Sequence, residues 1–302
     1  MPAVSETNFS GLLHRGKVRD TYDIGDRCLL MIATDRISAF DVILPSPIPD
    51  KGTILAQMSK FWFDLTADVM PNHVVGMADD AEALADVSRT GALAELPDDM
   101  RRRSMVIRRA ERLDIECVVR GYITGAGWAE YSEHGTLNRQ ELPKGIVEAQ
   151  MLELPMFTPS TKAEEGHDIP MTPSEVVDLV GKEMASRLEE TSIRIFKVAQ
   201  AYAAGRGVII ADTKMEYGLI DGQLILIDEL FTADSSRFWS QDDYIPGTSP
   251  RSFDKQFVRN WLLESGWDRE PPAPDLPADI VRKTRDRYVQ AYERLTGDTF
   301  VA

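Results

Sequence analysis

Two acids and a lysine crowd one stretch beside apolar residues, Ile209-Ile210-Ala211-Asp212-Thr213-Lys214-Met215-Glu216-Tyr217-Gly218, and Ile227-Asp228-Glu229, with two more acids, follows shortly after. Such a set outlines a nucleotide site. Mg²⁺ is usually held by one or two carboxylates together with phosphate oxygens and water, and a lysine nearby neutralises phosphate charge. Asp221-Gly222 between the two segments reads as a hairpin turn, and its register bears on the metal. A two-residue loop sets Glu216 opposite Ile227, whereas a three-residue loop with a glycine bulge sets Glu216 opposite Asp228. A metal shared by the two acids therefore requires a bulge or a strand-end twist. The alternative is that these acids are ordinary hairpin-end residues facing solvent.

Two further clusters contain bases. Leu12-Leu13-His14-Arg15-Gly16-Lys17-Val18-Arg19-Asp20-Thr21-Tyr22 sets one glycine, followed by the bases Lys17 and Arg19, between strand-like residues. Backbone amides of such a turn, with Lys17 and Arg19, suit polyphosphate; a solvated basic turn is the plainer reading, since the pattern matches no Walker, kinase or dinucleotide glycine loop. In Val118-Val119-Arg120-Gly121-Tyr122-Ile123-Thr124-Gly125-Ala126-Gly127-Trp128, a strand ends in an arginine and a glycine-punctuated turn opens a helix. Helix N-termini and arginine forks both suit a phosphate monoester, and a tight strand-to-helix connection would look the same. Arg237, in Asp234-Ser235-Ser236-Arg237, becomes a second fork if it folds back on the same cavity. His14 reads as structural, and Cys28 and Cys117, each inside an apolar run, as reduced buried thiols.

These residues need a frame. Arg27 to Ala33, Ser104 to Arg109, Ile115 to Arg120, Val208 to Ala211 and Leu224 to Ile227 have strand length and composition, with a short strand at His73 to Met77. Thr53 to Met70 repeats apolar residues at helical spacing after a stiff loop of Pro45, Pro47 and Pro49 closed by Asp50-Lys51-Gly52. Asp79 to Asp99, acidic and alanine-rich, reads as a solvated helical excursion. Pro155 to Met171 reads as a long loop, and Thr172-Pro173-Ser174-Glu175 starts a helix that runs to Gly205 with a break near Gly181 or Thr191. Pro271 to Pro277 is a proline-rich linker before a last amphipathic helix, Ala278 to Leu295. The composition shifts between residues 110 and 120, which divides the chain into 1–112 and 113–302.

The whole is 302 residues with 49 acids against 34 bases, a net charge of −15. That length can bury a sizeable core without disulfides or structural metal. The acidic balance argues against nucleic acid or anionic membrane as partner, so any anionic ligand needs a local basic cluster. No apolar run approaches the roughly 18 residues of a membrane span, and the first residues lack a signal peptide's basic and apolar regions, so the expectation is a soluble cytoplasmic protein.

Six segments occur together in a telling order: Gly16-Lys17-Val18-Arg19-Asp20, Asp35-Arg36-Ile37-Ser38-Ala39-Phe40-Asp41, Val119-Arg120-Gly121-Tyr122, Phe157-Thr158-Pro159-Ser160-Thr161-Lys162-Ala163-Glu164, Asp212-Thr213-Lys214-Met215-Glu216-Tyr217-Gly218 and Ser252-Phe253-Asp254-Lys255-Gln256-Phe257-Val258-Arg259. Over about residues 9 to 263 the chain resembles the SAICAR synthetases of purine biosynthesis, in their long, yeast-like form. The resemblance implies an α+β fold, with an antiparallel N-terminal domain similar to a protein-kinase small lobe, a larger α+β C-terminal domain, and ATP in the cleft between them. It implies ligation of L-aspartate to the carboxylate of 5-amino-1-(5-phospho-D-ribosyl)imidazole-4-carboxylate, with MgATP consumed and carboxylate phosphorylation as the route.

By the same resemblance Gly16, Lys17 and Arg19 would cover the ATP phosphates, adenine would meet backbone from Arg108 to Ala110, and Lys214 would contact phosphate. Glu216 and Asp228 would bind Mg²⁺, Arg120 and Arg237 would clamp the ribose 5-phosphate, and Asp234 would stand near ribose hydroxyls. Asp35, Ser38 and Asp41 would form a substrate-facing loop, with Lys162 at the cleft mouth and Asp212 as a candidate base. Two positions depart from the family pattern: Ala126 stands where a serine is common, and Asp114 where proline precedes Ile-Glu. Long-form relatives suggest a monomer, while an exposed apolar face on the last helix would serve a homodimer equally well. The rivals are another ATP-dependent small-molecule kinase or carboxylate-amine ligase, and a nucleotide-binding regulator that has lost catalysis.

Overall fold

The computed structural model describes residues 3–25, 27–162 and 169–301. Strands β1 (Leu12–Arg15), β2 (Arg19–Gly25) and β3 (Cys28–Ala33) form an antiparallel meander, followed by the short pair β4 (Ser38–Ala39) and β5 (Val42–Ile43). The proline loop leads into α1 (Lys51–Leu65) through Asp50, which holds φ at 67°. Then come β6 (Val74–Met77), the short helices α2 (Gly91–Glu95) and α3 (Asp98–Arg101), and β7 (Ser104–Arg108). The first sheet has the order β1-β2-β3-β7-β6. The acidic stretch from Asp79 is mostly turns, with helix only toward its end. Leu84, Leu93, Leu96 and Met100 are buried with Tyr22, Leu30 and Val106 of this sheet, and that anchoring at irregular intervals defeats a continuous helix.

The remaining elements are β8 (Glu111–Arg112), β9 (Ile115–Tyr122), α4 (Gly125–His134), β10 (Thr136–Leu137), β11 (Gln140–Glu141), β12 (Met151–Phe157), β13 (Ser160–Thr161), α5 (Pro173–Val180), α6 (Lys182–Ala204), β14 (Val208–Ile220), β15 (Gln223–Ile227), β16 (Ser236–Ser240), α7 (Gln256–Glu264) and α8 (Ala278–Thr296). The second sheet runs β12-β9-β14-β15, with β13 also pairing β9, and β16 and β8 also pairing β14. Two expectations are corrected. The segment from Pro155 is not all loop, because it supplies the end of β12 and the whole of β13 to β9. The strand beginning at Val208 does not stop at Ala211 but continues to Ile220, since it has partners on both edges. The long helix divides at Gly181, whose φ of 81° a helix interior does not accept.

The main core joins α1 to the second sheet. Ile54, Leu55 and the fully buried Trp62 pack with Ile115, Val119, Phe196, Ile210 and Tyr217. Each such side chain contributes about 1.5–3 kcal/mol by leaving water. Ile37, Leu44 and Ile48 are buried with Val258, Leu262 and Ile280. The apolar face of α8 is directed inward, with Tyr288, Ala291 and Leu295 inaccessible to solvent. Among the described residues no helix is long and apolar enough to cross a membrane.

Candidate active site

A cleft of about 1250 Å³ is lined from both sheets. One wall is the β1–β2 turn with Leu29, Met31 and Ile107; the other comes from β9, β14, the end of β15 and the start of α7.

The β14–β15 hairpin decides the register question. Glu216 pairs with Ile227, and the turn is the two-residue Asp221-Gly222 with φ of 50° and 77°, both in the left-handed region. Asp228 then turns out of the ladder at φ 64°. A strand-end twist, not a bulge, therefore brings Asp228 to the cleft that Glu216 also lines. Glu216 is 3% exposed and touches two lysines: Lys214 Nζ donates to its Oε1 at 2.9 Å, and Lys162 Nζ contacts its Oε2. Burial works against its ionisation, but the two ammonium groups prevail and hold its pKa down to about 2. Lys214 also donates to Glu116 Oε1 at 2.7 Å; burial opposes its charge, and Glu216 and Glu116 raise its pKa well above the usual value. For Asp228 burial dominates, reinforced by Glu216 and Glu229 against the pull of Arg19, and its pKa rises.

Arg120 on β9, Asp212 on β14 and Arg237 on β16 lie in register across three adjacent strands. Asp212 Oδ2 accepts from Arg120 Nη1 at 2.8 Å and from Arg237 Nη1 at 2.5 Å. The arginines thus converge, with Arg259 of α7 on the same cleft. Burial depresses the pKa of Arg120 and of Arg259, and Asp212 counteracts it in both. The start of α4 abuts this pair: a Cβ at Gly125, where φ is 55°, would stand 2.3 Å from Arg237 Nη2. Asp212 is committed to the two guanidiniums, and its geometry is that of an anchor.

Asp234 is buried beside the arginines, accepting from Lys51 Nζ at 2.7 Å and Tyr288 Oη at 2.8 Å. Burial is outweighed by Lys51 and Lys255, so its pKa is lowered. Lys255 heads α7 on the cleft wall, and burial, partly offset by Asp234, lowers its pKa to about 8.

On the opposite wall, Lys17 Nζ pairs with Asp41, and Gly16, Ser38, Arg108 and Ala110 also line the cleft. Arg19 also lines the cleft, where its side chain is engaged by two acids. Its guanidinium is 10% exposed, lies 3.3 Å from Asp228 Oδ1 and touches Glu229, which joins β2 to the end of β15. Burial disfavours its charge, but Glu229 and Asp228 raise its pKa. Asp35 is not brought to the cleft. Its carboxylate accepts from the amides of Val4 and Gly52 and pairs with Arg103 at 3.1 Å, in full burial. Of the Phe157–Glu164 segment, Ala163 and Glu164 lie outside the described residues.

Four cleft residues had no role assigned from the sequence, Glu116, Lys255, Arg259 and His73, and neither had Lys51, which is buried against Asp234. Lys255 and Arg259 stand four apart and so share a face of α7, which was a usable signal. His73 is 3% exposed, and burial lowers its pKa to about 3, so its ring is neutral.

Fold and site together define an α+β enzyme whose cleft gathers arginines around Asp212 at one end and the carboxylates Glu216 and Asp228 at the other. Residues 12–274 match the family model described as SAICAR synthetase. The chain is 48% identical over 286 residues to the phosphoribosylaminoimidazole-succinocarboxamide synthase of Maridesulfovibrio salexigens, covering 94% of this chain and 93% of that one. With the synthase of Thermodesulfovibrio yellowstonii it shares 49% identity over 97% of its own length and 99% of the other's. The structure of SAICAR synthase from Saccharomyces cerevisiae complexed with SAICAR superimposes with a TM-score of 0.87 at 37% identity, covering 99% of this chain and 100% of the yeast chain. The chain belongs to the SAICAR synthetase family.

Proposed function

We propose that the chain joins L-aspartate to 5-amino-1-(5-phospho-D-ribosyl)imidazole-4-carboxylate in purine biosynthesis, using ATP and giving SAICAR, ADP and phosphate. The single observation that carries this reading is the course of β14. Asp212, with its two arginines, Lys214 and Glu216 alternate along one strand that lines the cleft. At roughly 3.3 Å per residue the first and last lie about 13 Å apart. A phosphorylated ribonucleotide fits that interval, its 5-phosphate between Arg120 and Arg237 and its carboxylate toward Lys214. Asp234, fixed by Lys51 and Tyr288, is set to accept from ribose hydroxyls.

The nucleotide cosubstrate lies between the β1–β2 turn and the apolar residues Leu29, Met31 and Ile107, with adenine toward Arg108 and Ala110. Glu216 and Asp228 suit Mg²⁺. They are two ionisable carboxylates on one cleft, and among the described residues no group of three His, Cys, Asp or Glu forms an all-protein cage. Such a donor set fits an ion that relies on phosphates and water for its remaining ligands. The ion would neutralise phosphate charge during transfer. Lys214 and Lys162 add positive charge beside the reacting carboxylate, so positioning and charge neutralisation do most of the catalysis. Asp212 holds the two arginines together and does not need to move a proton in this role.

We read the chain as cytoplasmic, and as a monomer because the apolar side of α8 faces inward. The deciding experiment measures ADP release with MgATP, the imidazole carboxylate nucleotide and L-aspartate, each omitted in turn. Release that requires all three, with a succinocarboxamide product, is expected. Release indifferent to aspartate would make the protein a kinase, and none despite ATP binding would make it a regulator.

A further inference from the structure

The β1–β2 turn has an unusual back side. Arg36, 8% exposed and outside the cleft wall, donates from Nη2 to Gly16 O at 2.9 Å and from Nε to Lys17 O at 3.2 Å. Val18 O accepts from both the amide and the hydroxyl of Thr34, each at 2.9 Å. Three successive carbonyls are therefore tied to the segment Thr34–Arg36. In a trans peptide the carbonyl and the following N–H point in opposite directions, and among the described residues the one cis bond is Pro271-Pro272. Tying back Gly16 O and Lys17 O thus turns the amides of Lys17 and Val18 toward the cleft. Among the described residues neither amide has an acceptor in the chain.

We propose that Arg36 is a positioning residue that presents the Lys17 and Val18 amides as an anion-binding nest for the phosphates of the nucleotide. This rests on the reading that ATP lies under the turn. The guanidinium acts in two ways. It fixes the peptide planes, and its charge polarises each carbonyl it binds, which strengthens the N–H on the far side as an anion donor. Its own position is fixed by Asp20, 2.6 Å from Nη2, and by Ser5 O. Asp20 is inaccessible to solvent and accepts from Thr7 N at 3.1 Å and Thr7 Oγ1 at 2.7 Å. The segment before β1 therefore acts as the backing of the nest.

The test is calorimetric titration of the full chain and of Arg36→Gln with adenosine, AMP, ADP and ATP. The expected result is weakening of ADP and ATP by roughly ten- to a hundredfold, with adenosine affinity unchanged. In steady state the KM for ATP rises, while the KM for the imidazole nucleotide does not. Arg36→Lys should recover part of the loss, because one ammonium keeps the charge but cannot fork to two carbonyls. Thr34→Val, which removes the hydroxyl that accepts from the Arg36 amide at 3.4 Å, provides a milder variant should Arg36→Gln fail to fold, and should lose ADP affinity in the same selective way. Equal loss for adenosine and ADP, or no loss for either, overturns the role of Arg36. If the wild-type chain itself binds ADP no better than adenosine, the reading of the turn as a phosphate site fails instead.

Discussion

Asp212 Oδ2 accepts from Arg120 and Arg237 at once, at 2.8 and 2.5 Å, although these arginines belong to strands on opposite sides of its own. The carboxylate sets the spacing of two guanidiniums that would otherwise repel each other in a buried site. Removing the charge should therefore separate them. Asp212→Asn is expected to raise the KM for the phosphorylated imidazole substrate by about ten- to a hundredfold, with a smaller effect on the KM for ATP. Steady-state kinetics with each substrate varied checks this; an equal rise in both would deny the arginines their separate role.

Asp228→Asn is isosteric and leaves the strand-end turn intact, since asparagine tolerates the left-handed region. Turnover should fall by at least about a thousandfold, with the melting temperature little changed. Full activity in a normally folded mutant would remove Asp228 from the metal role.

Glu216 makes a prediction about acid. Its folded pKa is held to about 2, below the usual carboxylate value, by Lys214 and Lys162. A depressed carboxylate adds stability above its unfolded pKa and loses it as pH falls through the folded value. In metal-free buffer the wild type should exceed Glu216→Gln by on the order of a few kcal/mol near pH 6, and the gap should close between pH 4.5 and about 2. Urea melts at stepped pH would show it. A pH-independent gap would mean that shape rather than charge is responsible.

Gly125→Ala tests the contact between α4 and the arginines. The new Cβ would stand 2.3 Å from Arg237 Nη2 at a residue with φ of 55°. Either Arg237 moves or the helix start does. The expected cost is about 1–3 kcal/mol of stability, with loss of affinity for the imidazole nucleotide. An unchanged KM for that substrate would show that Arg237 does not need its present position.

The elements of this chain were largely legible because their patterns are local. The apolar residues of α1, the Thr172–Glu175 helix start and the Asp221-Gly222 turn each follow from a few neighbouring residues. That Glu216 and Asp228 share the cleft was legible only conditionally, since the register admitted two answers and the twist at Asp228 is a φ angle that no spacing reveals. Arg19 was legible as a base beside a glycine turn, while its acidic partners, which arrive from more than two hundred positions away, were not. Lys51 was hidden for a similar reason: it looked like the end of a proline loop, and only the tertiary fold buries it against Asp234. Asp35 was assigned to substrate because it belongs to a family segment, yet its three partners fix the start of α1 and the segment at Val4.

The strand from Val208 to Ile220 also limits how this sequence can drift. Side chains alternate between faces, so inserting or deleting one residue between Asp212 and Glu216 would turn one of them away from the cleft. Length changes elsewhere on the surface, as in the turns after Asp79, can be absorbed by rearrangement of exposed backbone. Within those five positions they cannot. Natural variation there should therefore consist of substitutions alone, with the count of residues held constant even where their identities change.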